Sequence, residues 1–159
     1  MAEDHEDTAA RAYSDLASHH RILKDDFASE WMGVRVVRAE PGDVIIEMDL
    51  RREMLNGFGI AHGGMVFAFA DTAFALACNH PDEDTGTITV ASGVDVNFLR
   101  PAVQGQTITA HARAVHEGRS GVYDIEVTAQ GPDDPEPVRI TLFRGRSRTI
   151  PKPPREPGA

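Results

Sequence analysis

From Met65 to Cys78 the chain carries fourteen residues that are apolar except for Asp71 and Thr72. Such a run has no polar face, and a helix apolar all round is a buried helix. The pattern predicts one from about Gly63 to Asn79. Upstream, Ala12, Leu16, Ile22, Leu23 and Phe27 recur at rough helical spacing and predict a helix over residues 9–30. Elsewhere the period shortens to two. Val34–Ala39 reads as a short strand, Glu40-Pro41-Gly42-Asp43 as a turn, and Val44–Leu50 as a strand with Val44, Ile46, Met48 and Leu50 on one face. After the polar loop His80–Gly86, four more strands are predicted. Ile88–Leu99 alternates Val94, Val96 and Phe98 with Asp95 and Asn97, giving one buried and one wetter face. Gln106–Glu117 turns Ile108, Ala110, Ala112 and Ala114 inward, and Val122–Ala129 does the same with Tyr123, Ile125 and Val127. Val138–Ile150 is the last, and its period slips near Phe143, as at a bulge.

The order is helix, two strands, buried helix, four strands. The last four are expected to pair as an antiparallel meander, because their connections are too short for crossovers. These elements predict an α+β fold, a curved antiparallel sheet wrapped around one long central helix, with an N-terminal helix outside it. The sheet covers one side of the central helix. Apolar residues on every face therefore predict a second subunit on the other side. Residues 1–30 read as an N-terminal extension and helix, 31–150 as the domain, and the proline-rich 151–159 as a disordered tail.

Composition narrows the classes. The 159 residues fit one domain, with 41% apolar and 26% charged residues. The apolar run is too short to span a bilayer, and the acidic N-terminus lacks the apolar core of a leader peptide. A single cysteine, Cys78, rules out an internal disulfide and fits a reducing cytoplasm. The formal net charge of −9 speaks against nucleic acid, and an anionic ligand would need a local basic patch.

Asp71 is the sharpest chemical feature. A carboxylate in apolar surroundings costs on the order of several kcal/mol unless it is paired or neutral. Its bland role is a core aspartate bonded to Thr72 or to backbone; its functional role is a general base on water, or a nucleophile. Gly63 and Gly64 open the same helix. They serve either close packing or an oxyanion site at the helix's positive end. A base and an oxyanion hole together point to hydrolysis of an activated carbonyl. Seven residues separate Gly64 from Asp71, about 10 Å along a helix. One helix cannot easily bring both groups to a single carbonyl, whereas two helices across a two-fold axis can.

The neighbouring residues are read in the same way. Asn56 is a turn residue before Gly57, or an amide that orients a carbonyl or water. His62 is an N-terminal cap or a support for the oxyanion turn. Gly57-Phe58-Gly59 lacks the third glycine of a dinucleotide fingerprint, no GxSxG elbow occurs, and Cys78 has no histidine partner in sequence. The histidines lack metal-ligand spacing, so no metal or redox cofactor is expected. Arg144, Arg146 and Arg148 share one strand face, either solvated or available to phosphates.

The stretch MLNGFGIAHGGMVFAFADTAFALACN, followed in order by ASGVDVNFLRPA, GVYDIEV and LFRGRSR, resembles the hotdog-fold acyl-CoA thioesterases of the phenylacetic acid degradation type. The resemblance spans roughly residues 30–150. It implies hydrolysis of aryl- or phenylacetyl-CoA thioesters by a homodimer with shared active sites, further paired into a homotetramer. On the matching positions Asp71 is the base or nucleophile, across from an oxyanion hole at Gly64 of the other subunit. Asn56 orients the carbonyl or water, and His62 and Gly63 shape the turn. Thr72, Phe58, Asn97, Arg100, Arg119, Ser120 and Gly121 fall where substrate and coenzyme A would lie. Phe58 and Ile60 depart from the family by being apolar at the lip of the acyl pocket. Two other readings of the same residues are a non-catalytic acyl-CoA sensor and a hotdog enoyl-CoA hydratase or dehydratase using His62 with Asp71.

Overall fold

The computed structural model describes residues 16–153. The central helix, α2, spans Gly63–Cys78, and a shorter helix, α1, spans Phe27–Met32. The strands are β1 (Arg35–Glu40), β2 (Asp43–Asp49), β3 (Thr87–Phe98), β4 (Thr107–His116), β5 (Ser120–Gln130) and β6 (Val138–Pro151). All six join one antiparallel sheet that wraps α2.

Period-two alternation places the core as expected. Val44, Ile46 and Met48 of β2, Ile108, Ala110 and Ala112 of β4, and Tyr123, Ile125 and Val127 of β5 are all buried. They meet Val66, Phe69, Ala70, Ala73 and Phe74 of α2. The alanines of β4 let the helix approach closely, and β4 is the strand with which α2 makes most contact.

The strand order is β1-β2-β4-β5-β6-β3, so the last four strands are not a meander. Only β4, β5 and β6 run consecutively; β3 pairs with β6 at the sheet edge, from Thr87↔Pro151 to Phe98↔Thr141. The eight residues 99–106 allow this. They reach about 26 Å when extended, whereas three strand spacings amount to about 14 Å. As an edge strand β3 also lacks the fully buried face expected of it: Val94 and Val96 are half-buried, while Val90 and Phe98 are exposed. A bulge at Ser92 interrupts its register. The slip in β6 lies at Ile140, three residues before Phe143: Val127 pairs with Thr141 and Thr128 with Arg139. At the other edge, β1 carries a bulge at Val37 and displays ion pairs from Arg35 to Asp49 and from Arg38 to Asp43.

The single helix expected over 9–30 is broken within the described part. Leu16–His19 is helical, Arg21–Leu23 is a 3₁₀ turn, and α1 starts afresh at Phe27. Asp25 takes a left-handed backbone (φ 63°), and Asp26 caps α1 by accepting the Ser29 N–H at 3.0 Å. A short side chain that tolerates left-handed torsions, followed by a good cap, ends one helix and begins another. Residues 9–15 of the expected helix, and 154–159 of the expected tail, lie outside the described residues.

His20 clasps this segment to the far end of α2. It is 1% exposed. The Ile22 N–H donates to Nδ1 at 3.3 Å, which leaves Nε2–H to donate to the carbonyls of Leu76 (3.2 Å) and Asn79 (3.0 Å). Burial holds the imidazole below its ordinary value of 6.5, with Arg21 acting in the same direction and the two carbonyls and Asp82 opposing. The folded chain therefore binds fewer protons than the unfolded one between the depressed value and 6.5. Stability contributed by His20 is complete above 6.5 and is lost as pH falls through that window. The thermal midpoint is expected to drop from pH 7.5 to pH 5.5, and His20→Gln to flatten that dependence, as read by circular dichroism at both pH values.

Candidate active site

At the start of α2 the chain builds a tight turn before the helix. Asn56 Oδ1 accepts the Phe58 N–H (2.9 Å) and the Ile60 N–H (3.4 Å), and Asn56 N–H donates to the Ile60 carbonyl at 2.8 Å. Gly59, at φ 75°, supplies the left-handed residue that this turn needs. The turn reading of Asn56 is therefore realised, and its Nδ2 has no hydrogen-bond partner among the described residues. Asn56 lines a cavity of about 370 Å³ together with Gly63, Phe98 and Arg100. Phe58, in the same turn, stands 90% exposed and does not line that cavity.

His62 is the N-cap of α2, and its Nδ1 accepts the Gly64 N–H at 2.9 Å. The expected oxyanion donor is thus already engaged within the chain. The Gly63 N–H has no acceptor among the described residues, and its Cα faces the Phe98 ring, where a Cβ would come to 3.3 Å.

Two turns further on, Asp71 lies on the same stripe of α2 as Gly64 and Phe67, since seven residues bring a helix back to nearly the same face. The sheet leaves that stripe partly uncovered: Gly64 and Phe67 are exposed, and Asp71 is half-buried. No hydrogen bond to the Asp71 carboxylate is found among the described residues. Burial pushes its pKa above the ordinary 3.8. Asp71 lines a second cavity, of about 280 Å³, between α2 and the N-terminal segment. Thr72 borders it too, its hydroxyl donating to the Ala68 carbonyl at 3.1 Å. The opposite wall is one the sequence did not disclose: Ile22, Asp26, Ala28 and Met32. Ser29 joins the walls, its hydroxyl 2.7 Å from Asp26 Oδ2 and 3.4 Å from Thr72 Oγ1. The only local signal of this wall is the Asp26–Ser29 cap.

The residues expected along coenzyme A divide into three places. Arg100 borders the cavity of Asn56 and donates to the Arg139 carbonyl at 3.3 Å. Asn97 points to the outer face of the sheet, into a groove with Asp95, Arg113, Asp124 and Arg144. Arg119, Ser120 and Gly121 sit at the other end of the sheet: Ser120 pairs with Arg148 while Phe98 pairs with Thr141. Seven residues of β6 separate the two positions, about 23 Å. Arg144 and Arg146 are bound to Asp124 and Asp95, whereas Arg148 forms no ion pair among the described residues. Cys78 is set apart from the chemistry, its thiol pushed up to about 12 by burial.

The sequence profile of the Thioesterase superfamily matches residues 58–136, which include both glycines, Asp71 and strands β3, β4 and β5. The acyl-coenzyme A thioesterase PaaI of Escherichia coli is 38% identical over 132 residues, covering 82% of this chain and 88% of that protein. The chain belongs to the thioesterase superfamily. The structure of the E. coli PaaI protein superposes on this thioesterase with a TM-score of 0.74 at 35% identity, covering 88% of this chain and 94% of the other. A Streptococcus mutans protein bound to acetyl CoA superposes with a TM-score of 0.64 at 28% identity, covering 75% and 90%. The hotdog architecture of this thioesterase is the one its sequence pattern led to.

Proposed function

We propose that the protein hydrolyses aryl- or phenylacetyl-CoA thioesters in a homodimer whose two sites each take Asp71 from one subunit and the α2 N-terminus from the other. The observation that carries this is the open stripe of α2, where an unpartnered carboxylate and a helix N-terminus share one face but stand about 10 Å apart. An antiparallel copy of α2 laid on that stripe would bring each Asp71 toward Gly64 of the partner subunit. It would also cover Phe67 and the exposed edge of β3. The two segments read as lining coenzyme A, remote in one chain, would be brought nearer by the same operation. The relatives' names, an acyl-CoA thioesterase and an acetyl CoA complex, support a CoA ester as substrate. Pairing of two such dimers into a tetramer is part of the same proposal.

In this scheme water adds to the thioester carbonyl as Asp71 takes its proton. The carbonyl oxygen becomes an oxyanion held by N–H groups at Gly63 and Gly64; as it collapses the C–S bond breaks, the proton on Asp71 passes to the departing thiolate, and coenzyme A and the free acid are released. For Gly64 to serve, His62 Nδ1 must give up the donor it holds. Direct attack by Asp71, through a mixed anhydride that water then opens, uses the same atoms. The deciding measurement is release of free thiol from phenylacetyl-CoA, followed with a thiol reagent. Stoichiometric release over many turnovers is expected. Tight binding without release would make the protein an acyl-CoA sensor, and hydration of an enoyl-CoA would make it a hydratase.

A further inference from the structure

We propose that His20 is a positioning residue for the acyl group, holding the N-terminal wall of the Asp71 cavity at the spacing that admits one aromatic ring on a short linker. The inference deepens the thioesterase reading and rests on it for the identity of the ligand.

The cavity has two walls, and His20 is bonded to both. On the helix side its Nε2–H reaches the carbonyl of Leu76, which lines the cavity. On the N-terminal side its Nδ1 receives the N–H of Ile22, which also lines it. A second donor–acceptor contact, to Asn79, fixes the ring at the C-terminal end of α2. The imidazole therefore acts as a spacer of defined length between Ile22 and Leu76. Its neighbours strengthen the hold: Arg21 donates through Nε to the His80 carbonyl and through its backbone N–H to the Pro81 carbonyl. At the other end of the wall, Arg51 donates to the carbonyls of Trp31 and Met32.

What such a cavity admits follows from its size and lining. A dry cavity of about 150 Å³ accepts benzene. The cleft here, about 280 Å³ and open to one side, sets the buried Met32 and Leu76 beside Asp26, Asp71 and Thr72 and has room for a ring and its linker. Asp71 on the same cavity places the reactive carbonyl at its rim.

The test compares His20→Ala and His20→Gln with the wild type on phenylacetyl-CoA and acetyl-CoA. It adds calorimetric binding of a non-hydrolysable phenylacetyl-CoA thioether. Glutamine retains one donor and one acceptor. His20→Ala is expected to raise KM for phenylacetyl-CoA and weaken the thioether by about tenfold, the low end of what a hydrophobic pocket loses over one methylene. Acetyl-CoA turnover should stay within about twofold, and His20→Gln should recover most of the loss. Equal losses on both substrates, or none, would overturn the proposal and leave His20 a structural clasp. If the wild type binds the thioether but hydrolyses neither ester, the thioesterase reading fails while the affinities still decide the role of His20. If the wild type does not bind the thioether, the proposal fails as well.

Discussion

Replacing Asp71 by alanine is expected to lower kcat for phenylacetyl-CoA by about 10³-fold, the usual scale of a positioned general base, with the fold and oligomeric state retained. No other side chain among the described residues hydrogen-bonds this carboxylate, so its removal leaves no orphaned partner and should stabilise rather than unfold. Burial raises the Asp71 pKa above 3.8, so the acid limb of kcat/KM is expected at higher pH than a solvated aspartate would set, with activity rising as the group deprotonates. The same shift means that the protonated form is favoured in the fold, and the stability it contributes falls away as pH rises through the raised value. A sharper form of the experiment mixes two inactive variants, Asp71→Ala and Gly64→Val. A side chain at position 64 would meet His62 Nδ1 at 3.1 Å and crowd the oxyanion turn. Half of the randomly mixed dimers would be hybrids, each with one intact composite site, so about a quarter of wild-type activity should return. No recovery on subunit exchange, checked by mass spectrometry, would mean that each chain carries a complete site of its own.

The largest effect on stability is expected at Gly145, whose role is space rather than torsion. A Cβ there would lie 2.7 Å from Cζ of Phe74, a buried ring that also touches Tyr123 and Phe143. Gly145→Ala is expected to cost about 2 kcal/mol by overpacking, or about 4–8 °C in Tm for a chain of this size. Phe74→Leu alone should also destabilise. The double variant should lose clearly less than the sum, because leucine vacates the volume the new methyl needs. A Gly145→Ala protein that melts with the wild type would show that the ring can move aside freely.

What the sequence disclosed, and what it hid, divides along the range of the interactions. Strands β2, β4 and β5 were legible because alternation is local and one face is fully buried. Asp71 stood out because a carboxylate inside an apolar run has no packing rationale. The position of β3 was hidden, since lateral order in a sheet is decided by edges far apart in sequence. The break at Asp25 was masked by an apolar spacing that continues across it. The wall facing Asp71 was illegible for the same reason as β3: His20 meets Leu76 and Asn79 across 56 and 59 residues, and no local pattern carries that contact. His62 was legible as a cap, but that the donor it accepts is the very N–H wanted for an oxyanion is a matter of angstroms, which spacing does not encode.

The two rims of the sheet differ in what they invite. A bare row of backbone donors and acceptors along β3 is a template for another chain, yet a two-fold pairing would consume it once and offer only a pair of β1 rims to the next molecule. Those rims are six residues long, kinked at Val37 and fringed with guanidinium and carboxylate groups. Short, twisted, charged borders resist further strand addition, so in the proposed dimer growth would stop at a closed particle instead of running on into fibrils.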